Sequence, residues 1–180
     1  MDAYGNIYGV SATSTSVFML SPNGAGGWNP AVIHSFAGSG KLSGTPAVDQ
    51  AGNIYVTITA KGGEGAGSLH KLSLVNGQWT ARTLHDWKAG WGPYAGVIVD
   101  AAGNIYGTTG GSPDNTVLGT VYELTPKKDG GYKYSVLWTF TGYNGNWPYA
   151  SLTLDRAGNL YGTTYVGGEG NAGAAFKVTP

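Results

Sequence analysis

Carboxylates, amides and flat aromatic rings are the groups in this chain that can do chemistry. Cysteine is absent, which removes thiolate nucleophiles, disulfides and Cys-ligated zinc. The three histidines, His34, His70 and His85, form no His-x-x-x-His pair and no His-Glu-x-x-His, so a zinc site has no local support. No Gly-x-Ser-x-Gly occurs, so the hydrolase nucleophile elbow is missing. Residues 168–173 spell Gly-x-Gly-x-x-Gly, but a dinucleotide site needs that spelling between a strand and a helix. What remains is one set of acids, Glu64, Asp114 and Glu169, and one set of rings and amides: Trp91, Tyr94, Asn144, Asn146, Trp147 and Tyr149. Two carboxylates held about 5 Å or about 6.5–9.5 Å apart can cleave a glycosidic bond. Rings beside amides suit a sugar, whose apolar face stacks while its hydroxyls bond. Glu64 and Glu169 stand in Gly-rich loops two repeats apart and read as solvated, so binding is the preferred expectation, hydrolysis the alternative, and a purely structural self-assembling repeat module the second alternative. No cofactor and no metal are expected.

Bulk composition narrows the partners. Ten basic residues balance ten acidic ones among 180, leaving no basic excess for nucleic acid. Apolar residues make up 41% and aromatics 12%, enough to bury a core rather than remain disordered. No apolar window approaches membrane-spanning length. Residues 1–6 carry neither a basic nor an apolar signal-peptide segment.

The elements that must position these residues come from a repeat. Asp-x-x-Gly-Asn-(Ile/Leu)-Tyr occurs at 2–8, 49–55, 100–106 and 155–161, and such periodicity marks a stacked architecture. A single repeat domain over 1–180 is expected, in units 2–48, 49–99, 100–154 and a partial 155–180. Each unit holds short runs rich in Val, Ile, Thr and aromatics, bounded by Gly, Pro, Asn and Asp, which read as strands. Glycine at 32 positions leaves no helical period. Strand A precedes each Asp (45–48, 95–99, 150–154). Strand B is the Gly-Asn-Ile-Tyr run; strand C covers 17–20, 69–72, 121–124 and 175–178; strand D covers 32–36, 83–87 and 136–140. Four antiparallel strands per unit of roughly 50 residues is the size of a β-propeller blade.

The run 100–109 (Asp-Ala-Ala-Gly-Asn-Ile-Tyr-Gly-Thr-Thr), with 119–126, 136–140 and 148–152, resembles the repeat of the GloVer tandem-repeat proteins, bacterial surface or secreted proteins. The resemblance covers essentially the whole chain. It implies a secreted or cell-surface protein and carries no general activity.

Counting strands gives B-C-D, A-B-C-D, A-B-C-D and A-B-C, three and a half blades. Open strand edges invite another chain, so a homodimer completing a ring of about eight blades is expected. A fragment of a longer propeller and a closed four-bladed monomer are the alternatives. Antiparallel order places the D-to-A and B-to-C loops at one end and the A-to-B turns at the other. The B-to-C loops vary (12–16, 60–67, 110–119 and 166–173), and variable loops on a uniform scaffold concentrate function. That end is the expected ligand face, for a polysaccharide or a surface protein. The repeated Asp2, Asp49, Asp100 and Asp155 are read as acceptors of N–H bonds within their turns. Tyr8, Tyr55, Tyr106 and Tyr161, like Trp28, Trp79 and Tyr132, are read as packing, and the histidines as core residues replacing aromatics.

Overall fold

The computed structural model of the chain describes residues 1–11, 15–36, 40–59, 67–87, 92–112 and 116–180. Among these residues fourteen strands follow in order. They are β1 (Ile7–Ser11), β2 (Ser16–Pro22), β3 (Trp28–Ser35), β4 (Lys41–Val48), β5 (Ile54–Thr59), β6 (Ser68–Val75) and β7 (Gln78–Asp86). Then come β8 (Ile98–Val99), β9 (Ile105–Thr109), β10 (Thr120–Pro126), β11 (Tyr132–Thr139), β12 (Thr153–Leu154), β13 (Leu160–Thr163) and β14 (Ala175–Val178). They pair, antiparallel throughout, into four sheets: β1–β3, β4–β7, β8–β11 and β12–β14, blades 1 to 4. Blades 2 and 3 have four strands, as expected, and the fold is all-β and propeller-like.

Strand boundaries differ from the sequence reading at several elements. The outer strands start earlier, at Trp28, Gln78 and Tyr132. In blade 2, Asn76 (φ 50°) and Gly77 (φ 79°) close a two-residue turn that pairs Val75 with Gln78, as Asn-Gly favours. The inner strands of blades 3 and 4 are only two residues long, because the chain before them folds back over the preceding blade. Thr57 Oγ1 donates to Ala95 O (2.9 Å), Thr59 Oγ1 to Pro93 O (2.7 Å) and Thr108 Oγ1 to Pro148 O (2.8 Å). The first inner strand, expected over 45–48, instead starts at Lys41, which opens β4 opposite Thr59.

The A-to-B turn is a self-contained hydrogen-bonded unit. In blade 2, Gly52 N–H donates to Asp49 O and Asp49 N–H to Asn53 O, both at 3.0 Å. Gly52 sits at φ 78°, where a side chain would be strained. Asp49 Oδ1 accepts from the N–H of Ala51 and of Asn53, while Oδ2 accepts from Asn53 Nδ2 and the Tyr55 hydroxyl. The same four bonds recur around Asp2, Asp100 and Asp155. Burial raises the Asp2 and Asp49 pKa values, but these bonds outweigh it and leave both lowered. The Asn159 side-chain bond leads the set that brings Asp155 down to about 2.

Stability resides between the blades. Blades 1 and 2 enclose Val17, Phe36, Ile54, Val56 and Leu72; blades 2 and 3 enclose Tyr55, Leu69, Trp87, Ile105 and Leu124; blades 3 and 4 enclose Tyr106, Val121, Phe140, Leu160 and Val178. A fully buried aliphatic side chain contributes about 1.5–3 kcal/mol, against about 1 kcal/mol net for one hydrogen bond. The turns therefore set register while the interblade cores hold the fold. Tyr8 meets Trp79 edge-on at 6.4 Å, and Tyr55 and Tyr106 are 2% and 5% exposed.

Candidate ligand-binding face

The loops expected to share one end do so through direct bonds. The D-to-A loop between blades 3 and 4 is stitched to the B-to-C loops on either side of it. Trp147 N–H donates to Leu118 O (3.0 Å), Asn146 N–H to Val166 O (2.8 Å), Tyr165 N–H to Trp147 O (2.9 Å) and Gly168 N–H to Gly142 O (2.8 Å). The preceding D-to-A loop does the same one blade earlier, with Gly110 N–H on Gly92 O and a bridge between Pro93 and Thr109.

This stitching gathers four rings. Tyr94 and Tyr149, equivalent in successive repeats, lie 4.8 Å apart over Gly110. Trp147, Tyr149 and Tyr165 are mutually near-parallel, at 10–27°, with centroid separations of 5.8, 6.1 and 6.3 Å. Equal separations exclude a column, in which the outer pair would stand twice as far apart. The three rings therefore form one near-parallel cluster, the aromatic floor of this face. Tyr165 is 68% exposed and Tyr149 36%, and both line a shallow depression of about 380 Å³ with Ala150, Thr163 and Thr164.

Trp147 is the strained member. Its φ is 58°, in a region that costs a bulky L-residue about 1–2 kcal/mol, and Pro148 follows it. Such outliers persist where the surroundings over-determine them. Here the Trp147 N–H is engaged and its carbonyl accepts from both Tyr149 and Tyr165. Its indole lies against Gly111, where any Cβ would collide with the ring.

The other residues singled out from sequence divide by role. Asn144 Oδ1 accepts from the Thr141 N–H and hydroxyl and so shapes its own turn. Asn146 is 7% exposed and contributes to the stitch through its backbone. Glu169 is exposed on the short turn Glu169–Asn171. Trp91, Glu64 and Asp114 lie outside the described residues. Tyr165 was not among the expected residues: the sequence reading starts its loop at Val166, one position later. Burial raises the pKa of Tyr94 and Tyr149, so both remain neutral phenols able to donate.

Elsewhere the polar chemistry is structural. His70 bonds Ser68 Oγ (2.8 Å) and Thr83 Oγ1 (3.2 Å), His85 stacks on Tyr134 at 4.4 Å, and His34 meets Phe36 at 4.5 Å. Among the described residues no group of three or more His, Asp or Glu is gathered as a metal site requires. No helix among them is long and apolar enough to cross a membrane.

The chain belongs to the Gloeobacter/Verrucomicrobia repeat family, whose model matches residues 1–180. No curated protein matches it in sequence. Among solved structures it is similar to a gluconolactonase from Xanthomonas campestris, XC5397 (TM-score 0.56, 18% identity, 91% of this chain and 44% of that one). It is also similar to an X-ray structure provisionally described as a gluconolactonase (TM-score 0.61, 17% identity, 100% of this chain and 62% of that one). At these identities the likeness concerns the fold. The chain spans roughly half the length of these structures.

Proposed function

We propose that the chain is a non-enzymatic β-propeller module that recognises carbohydrate on the floor formed by Trp147, Tyr149 and Tyr165. The observation that carries this reading is Trp147, held at positive φ by three backbone bonds beside two half-exposed, near-parallel tyrosines. Backbone strain retained beneath an exposed aromatic surface is the pattern of a preorganised binding site. A sugar ring laid on the floor buries its apolar face, while the tyrosine hydroxyls and Thr163 at the rim meet its hydroxyls. The likeness to gluconolactonase folds is compatible with a carbohydrate-related role. The resemblance to the GloVer repeat proteins supports a role at a cell surface or in secreted material.

The test is calorimetric titration of the chain against soluble polysaccharides, with reducing ends assayed in the same samples. Heat without new reducing ends, abolished in Trp147→Ala and in Tyr165→Ala, is the expected result. Heat that survives both substitutions, or the release of reducing ends, overturns it.

A further inference from the structure

An asparagine followed by glycine leaves its side-chain amide open to attack by the main chain, because glycine puts no side chain in front of its own nitrogen. The chain has three such pairs: Asn23-Gly24, Asn76-Gly77 and Asn144-Gly145. In two of them the amide is tied down. Asn23 Oδ1 accepts from the N–H of Ala25 (3.0 Å) and of Gly27 (2.9 Å). Asn144 Oδ1 accepts from the Thr141 N–H (2.8 Å) and hydroxyl (3.2 Å). The glycine that follows it is engaged as well: the Gly145 N–H donates to Gly142 O (3.3 Å), and Gly145 is buried against Thr164.

Asn76 has none of these ties. It stands exposed at the tip of the β6–β7 hairpin. Among the described residues its side chain makes no hydrogen bond, and the Gly77 N–H has no acceptor. The space beside Gly77 is open. Attack requires the tip to leave its left-handed geometry, with Asn76 at φ 50°, and a hairpin tip in solvent opens at low cost. No side-chain bond has to break first.

We propose that Asn76 is a site of spontaneous modification, its amide converting to a carboxylate by attack of the Gly77 main-chain nitrogen. That nitrogen loses its proton to solvent and bonds to Asn76 Cγ, while the Cγ–Nδ2 bond breaks and ammonia leaves. Water then opens the five-membered imide. Addition at Cγ gives aspartate; addition at the main-chain carbonyl gives isoaspartate, in which the main chain runs through the side-chain methylene. Either product adds a negative charge to a chain whose formal charge is zero. Isoaspartate also lengthens a turn that pairs Val75 with Gln78 and Leu74 with Trp79. Trp79 meets Tyr8 edge-on at 6.4 Å, so the altered register reaches the interface between blades 1 and 2.

Peptide mapping by mass spectrometry of the folded chain, aged at mildly alkaline pH, tests the proposal. Trypsin releases Asn76 as the sole asparagine of the fragment 72–82. Each side-chain bond that must break slows attack by roughly fivefold. Asn23 and Asn144 each have two to break, so Asn76 should convert on the order of tenfold faster or more. In urea the three pairs should converge, since the difference belongs to the fold. Aged chain rich in isoaspartate should melt below fresh chain, whereas Asn76→Asp, which tolerates the same backbone, should melt with it. A folded chain in which Asn76 stays an amide, or in which Asn23 or Asn144 keeps pace with it, overturns the site. Equal melting of aged and fresh chain overturns the link to the blade interface.

Discussion

Gly107 lies directly beneath the ring of Tyr122. The two residues face each other across β9 and β10, and a Cβ on Gly107 would collide with the phenol. The same cross-strand pairing is Gly9 with Phe18 in blade 1 and Gly162 with Phe176 in blade 4. In blade 2 both members change together: Val56 stands opposite His70. Each pair fills a similar volume with a different division between its two strands.

Gly107→Val should therefore destabilise the protein by about 1–3 kcal/mol, because fully buried Tyr122 cannot swing aside. His70→Phe alone should overpack against Val56, and adding Val56→Gly should relieve it. A double-mutant cycle in urea should return a coupling of about 1 kcal/mol or more; additive effects would mean that the two strands do not share this volume.

Tyr122 carries a second consequence. Its hydroxyl is buried with no hydrogen-bond partner among the described residues, whereas phenylalanine occupies the same position in blades 1 and 4. Tyr122→Phe should stabilise by about 1 kcal/mol, a rise of about 2–4 °C in melting temperature for a chain of this size. A lower melting temperature would show that the hydroxyl is satisfied.

Burial lowers the pKa of His70 and of His85, with the Asp86 charge opposing it in both cases. Between those lowered values and the unfolded value of about 6.5, the unfolded chain binds more protons, so stability rises with pH. Melting temperature should fall as pH drops from 7.5 to 5.5, and less steeply in His70→Gln and His85→Gln. The turn aspartates act in a separate window. Asp2, Asp49 and Asp155 have lowered values, so their stabilisation is complete above the unfolded carboxylate value and is lost only at more acidic pH.

The positive φ of Trp147 separates strain from binding. Trp147→Ala and Trp147→Gly should both lose carbohydrate binding. The glycine variant should nevertheless be more stable than the alanine variant by about 1 kcal/mol, because only glycine adopts that backbone freely. Equal stability would place Trp147 outside the left-handed region.

What could be read from sequence follows the range of the interactions. The role of Asp49 was legible because its donors, Ala51, Asn53 and Tyr55, all lie within six residues. Blade order was legible for a similar reason, since consecutive strands pair. The aromatic floor was only half legible. Trp147 and Tyr149 stand in one loop, but Tyr165 joins them through a bond from its N–H to Trp147 O across an intervening blade edge. No local pattern encodes that bond. Asn144, singled out as a ligand-binding amide, also shapes its own turn through Thr141, a contact that the spacing alone does not reveal. The inner strands β8 and β12, expected over 95–99 and 150–154, are shortened to two residues each because the preceding residues answer threonines on a different blade.

The Asp-x-x-Gly-Asn-Ile-Tyr turn carries its acceptor and all of its donors within one seven-residue segment. A blade that is copied brings this closure with it and asks nothing new of its neighbours. Substitutions elsewhere, such as the paired change at Val56 and His70, can then accumulate in one blade without unsettling the rest. Gene duplication is thereby a conservative step for this architecture: an added unit arrives already knowing how to fold its own corner.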